Sequence, residues 1–508
     1  MKLLNQIVLS FLVLVSVFNN ISAQENDMAR QVTIAGKVRN HDINLELIKI
    51  TVNRPGLGPL QLETTIDDEG KFSESFMAYL PTDAWLFYKT NFLILIHPGD
   101  SIYVEFDGSK NDRPELLSSI KLGGSHSRDN EDAAAFQKIY YSNELYSDWD
   151  SKQKAKMKDA EDYVIYLDSV KTLREDELKH FVSKYKPSGK VALWASTLIQ
   201  MDYYYNLAYY PDEHISLMNL NRSEWSVPDG YFDGFQNPLP LTEEMLISGY
   251  SISHFVNTYH YYYARKKLMA AEENKKFLIN GMFAAPTSIY DSLIVYGIMK
   301  YTPDDLLRQL VLTELFSQSL DKSEIALYEK YHELVASEIT NPGLREPLEQ
   351  KYREIKKSVD NPKLSSDAML MKVSSTSAGA IMDSIISVNS GKVIYVDFWA
   401  TWCGPCLSEM PNSKRLMEQL DEKEVAFVYL CLDSKEDLWK ATLSKHQMTG
   451  QQYYLDKQQS DDIRASLKIN GIPHYFLIDK DGIIIDNGSY LRPDVVEDKI
   501  QELLNDQG

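Results

Sequence analysis

Hydrophobic and polar positions alternate with a short period from about residue 31 to residue 108. Val32-Thr33-Ile34 and residues 43–52 alternate or carry β-branched side chains, and Ile102, Val104 and Phe106 alternate with polar neighbours. Asp67-Asp68-Glu69-Gly70-Lys71 reads as a hairpin turn leading into residues 72–76. Pro98-Gly99-Asp100 reads as another turn, after the apolar run 92–96. Period-two alternation between turn signals predicts a small antiparallel β domain, placed at residues 27–112. Residues 114–125 read as a linker. From about residue 129 the apolar spacing lengthens to helical periods, over 144–178, 198–210, 251–277, 286–300 and 303–339. Pro187-Ser188-Gly189, Pro228-Asp229-Gly230 and Pro238-Leu239-Pro240 punctuate them. An all-α domain is therefore expected at residues 126–365.

Beyond residue 370 strands and helices alternate, which predicts an α/β layered domain at 370–508. Residues 377–388 read as a helix. Val393-Ile394-Tyr395-Val396-Asp397-Phe398-Trp399 is a near-continuous apolar run suited to a buried central strand. Leu407, Met410, Leu416, Met417 and Leu420 form a helical stripe, which Pro411 is expected to kink or offset. Residues 425–432 read as a second buried strand, and Ser434 as a helix cap with Asp437 three residues on. A short helix follows at 462–467. A hairpin spans 475–478 and 483–485 through Asp479-Lys480-Asp481-Gly482, and a closing helix is expected over 492–504.

The first residues read differently. Lys2, the apolar run 7–18 and Ile21-Ser22-Ala23 follow the order of a secretory signal peptide, placed at residues 1–23. The run is short for a membrane span, which needs about 20 apolar residues. A retained anchor is the alternative reading. The expected location is the periplasm, with membrane association as a variant of it, where disulfide chemistry is possible.

Composition narrows the function. The chain has 508 residues with 53 Lys+Arg against 73 Asp+Glu, a formal charge of −20. That balance argues against nucleic-acid binding, which needs a basic footprint. Three cysteines in a chain of this length exclude a disulfide-stapled scaffold. Tyr203-Tyr204-Tyr205, Tyr209-Tyr210, Tyr259 and Tyr261-Tyr262-Tyr263 cluster in the helical part. Neighbours on a helix cannot all face one way, so helix packing is favoured over a partner surface. His41 and His97 read as surface histidines near turns. His254 and His260 are off the i,i+4 spacing of a helical metal pair, so no metal site is expected.

Cys403 and Cys406 carry the strongest signal. Their spacing at the start of a helix lets both sulfurs meet in a small disulfide ring. The first sulfur then sits among unpaired N–H groups at the positive end of the helix dipole, which lowers a thiol pKa. An exposed Cys403 thiolate attacks a substrate disulfide, and the more buried Cys406 resolves the mixed disulfide. A half zinc site and a structural disulfide are the alternatives. Zinc needs about four ligands, and the chain holds no second Cys-X-X-Cys. An aspartate inside the apolar strand, Asp397, also demands an explanation, catalytic or as a hydrogen-bonded structural acid.

Val396-Asp397-Phe398-Trp399-Ala400-Thr401-Trp402-Cys403-Gly404-Pro405-Cys406 is nearly the full active-site string of thioredoxin. Residues from about 392 to 504 resemble the exported thioredoxin-like oxidoreductases of the TlpA/ResA group. Gly471-Ile472-Pro473 resembles that family's loop with a cis proline facing the cysteines. The resemblance makes Cys403 the nucleophile, Cys406 the resolving thiol and Asp397 the buried acid that moves the proton of Cys406. It implies that Trp402, Gly404, Pro405 and Ile472 contact substrate, and that Glu409 tunes the pair unless it is a solvated surface acid. The family's opening hairpin is replaced here by the helix at 377–388. Cys431, in the second strand, reads as a buried inert thiol, with transient pairing as its alternative. His474 follows the proline and is a candidate to face substrate. The overall layout, with Pro98-Gly99-Asp100-Ser101-Ile102-Tyr103-Val104 near the end of the β domain, resembles large exported thioredoxin-like proteins of Bacteroidetes-type bacteria.

The expected function is an extracytoplasmic thiol–disulfide oxidoreductase that reduces disulfides in exported proteins. An oxidase or isomerase using the same residues, and a binding protein using the helical domain, are the alternatives. The Gly404-Pro405 pair favours reduction. Disulfide-bearing protein clients, such as those of cytochrome maturation, and a membrane-bound electron donor are the implied partners. No cofactor beyond the Cys403–Cys406 disulfide and no nucleic acid are expected, and the oligomeric state is open.

Overall fold

The computed structural model describes residues 29–505 except 143–148, 222–223, 236–239, 280–281 and 422. The leader expected at residues 1–23 and the Pro238-Leu239 break lie outside the described residues. The chain divides into two compact units, Met1–Gln318 with Tyr331–Leu348, and Ser319–Lys330 with Glu349–Gly508.

The first unit opens with eight strands: β1 (Arg30–Arg39), β2 (Leu47–Val52), β3 (Leu60–Thr65), β4 (Lys71–Ala78), β5 (Thr82–Phe87), β6 (Asn91–Ile96), β7 (Ser101–Asp107) and β8 (Lys121–Gly124). They form two sheets, ordered β4-β1-β7-β8 and β3-β2-β5-β6. All pairs are antiparallel except β1 with β7, which run parallel across a long crossover. Alternate residues of both sheets, among them Val32, Ile34, Ile48, Ile50, Ile94, Ile102 and Val104, meet in one core. Gly36 is required there, because a Cβ on it would lie 1.9 Å from the Val104 carbonyl. β5 and β6 are covered on their second face as well, where Trp85, Leu93 and Leu95 pack against Phe136, Phe181 and Trp194. Burial on both faces explains the unbroken apolar run at 92–96.

The stretch expected as a linker is folded. Asp112 caps a short helix α1 (Arg113–Ser119), accepting the Glu115 N–H at 3.1 Å, with Pro114 in the first turn, where its missing donor costs nothing. β8 then joins the sheet beside β7. Helix α2 (Ser127–Ser142) closes the exposed edge of β6 with side chains. Asn130 bonds the N–H and C=O of Leu95 at 2.7 and 3.0 Å, and Gln137 bonds those of Leu93, both at 2.8 Å. Two buried amides thus do for β6 what a ninth strand would do.

The helical part follows as α3 (Trp149–Lys156), α4 (Ala160–Tyr185), α5 (Gly189–Leu217) and α6 (Gly249–Tyr259). A π turn, His260–Ala264, carries α6 into α7 (Arg265–Ala270). After a short ribbon, β9 (Leu278–Ile279) and β10 (Met282–Phe283), come α8 (Thr287–Tyr301), α9 (Asp305–Asp321), α10 (Ile325–Lys330), α11 (His332–Glu338) and α12 (Pro342–Asp360). Ser188 caps α5, and that helix runs through Pro211, past the end expected at 210. The tyrosines divide as helical geometry requires: Tyr259 and Tyr263 are buried and Tyr261 is exposed. No helix among the described residues is long and apolar enough to cross a membrane.

The second unit holds β11 (Ala368–Met371), α13 (Ala378–Val388), β12 (Val393–Trp399), α14 (Gly404–Gln419), β13 (Val425–Cys431), α15 (Glu436–His446), β14 (Gly450–Tyr454), α16 (Lys457–Leu467), β15 (His474–Ile478), β16 (Ile484–Gly488) and α17 (Glu497–Asn505). The sheet order is β11-β14-β13-β12-β15-β16, with β12 central. Ile394, Val396 and Phe398 face a core shared with α13 and α16, while Val393, Tyr395 and Trp399 face α14, α15 and α17. The result is an α/β/α stack. Some details differ from expectation. Ser434 does not cap α15; its Oγ donates to the Leu432 carbonyl and accepts the Thr401 N–H, and Lys435 takes the cap position. α16 starts five residues earlier than expected, where Asp456 and Gln459 form a capping box. α17 starts only at Glu497, after a separate turn in which the Val495 and Val496 N–H groups both bond the Arg492 carbonyl. α14 runs unbroken through Pro411.

Candidate active site

Two strand ends define the site. β12 runs parallel to β13 and antiparallel to β15, so the C-terminal end of β12 and the start of β15 lie at the same edge. Ligands of open α/β sheets sit at such strand ends. Beyond Trp399 the chain turns through Ala400-Thr401-Trp402 into α14, with Cys403 at its N-cap. Cys403 and Cys406 are joined in a disulfide with Cα atoms 5.3 Å apart. Cys403 Sγ accepts the Cys406 N–H at 3.2 Å. The sulfur therefore occupies the place of a capping oxygen, where orphan N–H groups and the helix dipole favour negative charge.

Cys403 is not exposed in this oxidised state. It is 4% exposed and Cys406 2%, because the disulfide ring folds onto the core of Trp399, Met410 and Leu416. The surface around the ring belongs to Trp402, Gly404 and Pro405, all exposed. Trp402 is held flat by its Nε1–H, which donates to the Asp433 carbonyl at 2.9 Å. An Arg464 ion pair at 2.8 Å fixes Asp433 in turn. Pro473 is buried, the Ile472–Pro473 peptide bond is cis, and Ile472 is half-buried. His474 pairs with Phe398 across the sheet, so the proline loop stands at the same strand end as the cysteines. His474 is half-buried, and burial lowers its pKa.

Asp397 lies under the helix. Strand alternation puts it on the face of Val393, Tyr395 and Trp399, the face that carries Cys403 and Cys406. Tyr475 and Tyr429 are its register partners on either side. Its Oδ1 is buried with no hydrogen-bond partner. Burial, and secondarily the negative charge of Glu409, push the carboxyl up to about 8. Glu409 is buried, not a solvated surface acid. It accepts from Arg492 Nη1 at 3.1 Å and from Asn412 Nδ2 at 2.8 Å. The buried hydroxyls of Ser413 and Tyr475 also lack partners. A cluster of buried polar groups thus lies between the sheet and α14, with the half-exposed Arg492 paired to Glu409 at its outer side. Sequence reasoning missed Tyr475, Ser413 and Arg492. The period-two alternation of β15 could have pointed to Tyr475, but nothing local marks Arg492, 83 residues from its partner.

Cys431 is apart from this chemistry. It is fully buried at the end of β13, opposite Trp399, and burial pushes its thiol up to about 12. Such a thiol is inert as a nucleophile.

Comparison with known proteins places the site. Residues 391–484 match the family model described as thioredoxin-like. Thioredoxin from Coprinus comatus is 35% identical over 75 residues, which are 15% of this chain and 70% of that one. The chain belongs to the thioredoxin-like family. The thiol-disulfide oxidoreductase ResA of Bacillus cereus is 30% identical to this thioredoxin-like chain over 96 residues, 19% of the chain and 54% of the relative. The chain therefore spans about half the length of that curated relative. Among solved structures, the thioredoxin domain of a thiol-disulfide oxidoreductase from Bacteroides vulgatus is similar at 27% identity. It covers 24% of this chain and 84% of that one, with a TM-score of 0.22. The family-model match, residues 391–484, falls on the second unit of the thioredoxin-like chain.

Proposed function

We propose that the chain is an extracytoplasmic thiol–disulfide oxidoreductase that reduces disulfides in exported proteins. The observation that carries this reading is the Cys403–Cys406 disulfide at the N-terminus of α14, above the buried, unpartnered Asp397. In the reduced protein the Cys403 thiolate attacks one sulfur of a client disulfide. An S–S bond forms between Cys403 and the client, and the other client sulfur leaves as a thiolate that takes up a proton. Cys406 then attacks Cys403 Sγ, the mixed disulfide breaks, and the second client thiol departs. Two electrons have moved to the client, and Cys403–Cys406 is again oxidised.

Asp397 takes the proton of Cys406 in the second step, directly or through water. A carboxyl near 8 is matched to a proton transfer at neutral pH, where it is easily gained and lost. Glu409 tunes that carboxyl through its charge. Trp402, Gly404, Pro405 and the backbone at Ile472 form the exposed rim against which an extended client segment lies. Gly404-Pro405 between the cysteines favours a reducing pair. In an oxidising compartment the pair needs a membrane-bound donor to recharge it, and apocytochromes are one class of client that must be kept reduced.

The test is covalent capture. Cys406→Ser cannot resolve, so it accumulates mixed disulfides through Cys403, separable on non-reducing gels. If this variant captures nothing while the wild type reduces the same clients, the assignment of the two cysteines is wrong.

A further inference from the structure

The first unit brings together three side chains that the sequence leaves far apart. His97 directly follows β6, Asp100 closes the Pro98-Gly99-Asp100 turn, and His126 stands between β8 and α2. The Asn130 and Gln137 bonds that seat α2 along β6 also set these ends side by side. His97 is therefore not the surface histidine its turn suggests. Its side chain is 13% exposed and Asp100's is 5%. The imidazoles of His97 and His126 stack with centroids 4.1 Å apart. Asp100 offers one oxygen to each ring: Oδ1 is 3.0 Å from His126 Nδ1, and Oδ2 is 3.6 Å from His97 Nδ1. One ligand atom from each residue lies within 4.8 Å of the others.

One further observation points to a ligand: His97 Nδ1 is buried and, with Asp100 Oδ2 at 3.6 Å, makes no hydrogen bond, which is unusual for a buried ring nitrogen. We propose that His97 Nδ1, Asp100 and His126 Nδ1 bind one divalent first-row transition ion, of the zinc class. Two imidazoles and a carboxylate are the donors such ions take when a further position stays open to water. The half-exposed His126 provides that opening, and binding requires its ring to turn out of the stack. Lys190 Nζ lies 3.3 Å from His97 Nε2. A ring that binds through Nδ1 carries its proton on Nε2, so the exposed Lys190 side chain has to swing away. The ion then ties the β6–β7 turn to the start of α2.

The experiment uses the full mature chain with Cys403–Cys406 oxidised, so that no active-site thiol competes. Zn²⁺ uptake is followed by calorimetry and Co²⁺ uptake by its visible absorption. We expect one equivalent bound, and at least a tenfold loss of affinity in His97→Gln and in His126→Gln, each with an unchanged circular dichroism spectrum. His41→Gln, a histidine outside the cluster, retains full uptake. Lys190→Met, which removes the competing ammonium, binds as tightly or more tightly. Asp100 is left intact because it also accepts the His97 backbone N–H and holds the turn. The proposal is overturned if the wild type takes up no stoichiometric metal, if both histidine variants bind as well as it does, or if Lys190→Met loses as much as they do.

Discussion

Removing Cys403 removes the nucleophile, so Cys403→Ser is expected to abolish insulin-disulfide reduction, with its far-ultraviolet spectrum retained. The more informative residue is Asp397. The rate of resolution by Cys406 should rise with pH through about 8, as the carboxyl ionises and accepts the thiol proton. Asp397→Asn should slow resolution more than the initial attack and erase that limb, as read by stopped-flow fluorescence of the adjacent Trp402. Equal slowing of both steps would remove Asp397 from proton transfer. Glu409 contributes a negative charge that raises the Asp397 pKa, so Glu409→Gln should move the limb to lower pH. Burial is the larger cause, so the limb stays well above the ordinary carboxylate range. Most of this site is readable from residues 396–406 and 471–473, because the chemistry there demands particular residue types at fixed spacing. Glu409's burial, the unpartnered Tyr475 and the Arg492 ion pair are not readable, since each depends on strands and helices meeting across the fold.

At the scale of elements, β12 bears two duties on opposite faces. Phe398 points away from the disulfide into the core with Phe476, fully buried. Phe398→Ala should cost about 3–5 kcal/mol of stability through the cavity it leaves. The protein that remains folded should still reduce disulfides, measured by urea unfolding beside the activity assay. A variant that stays stable but loses activity would mean that the two faces are not separable. The strands read correctly from sequence are those with apolar alternation or continuous burial. β3 and β14 escape because they are written LQLETT and GQQYY, polar enough to pass for loops, and are held by pairing with neighbours. α1 escapes because Pro114 reads as a linker residue, whereas in a first turn it is tolerated.

The whole molecule carries several carboxyls whose pKa values the fold displaces. Burial raises Asp83 to about 6, Glu314 to about 7 and Asp397 to about 8. Between their ordinary values near 4 and these raised values the folded chain holds protons that the unfolded chain has released. Stability therefore falls as pH rises from about 4 to 8, and the net charge of −20 works in the same direction. Asp42 works in the opposite sense, lowered first by its bond from the Asn44 backbone, so its contribution is lost in acid. Denaturant unfolding across pH 4 to 9 should show a maximum on the mildly acidic side. Asp397→Asn should flatten the alkaline decline of the transition it reports. A maximum above pH 8 would contradict the burial of these groups.

The reduction potential of the Cys403–Cys406 pair, titrated in the chain with Cys431→Ser to keep a single thiol couple, tests the central claim most directly. A reductase fed by a membrane donor predicts a value near that of thioredoxin, about −270 mV. A value near −120 mV, that of a strong oxidant, would contradict the account and make the protein a donor of disulfides to its clients.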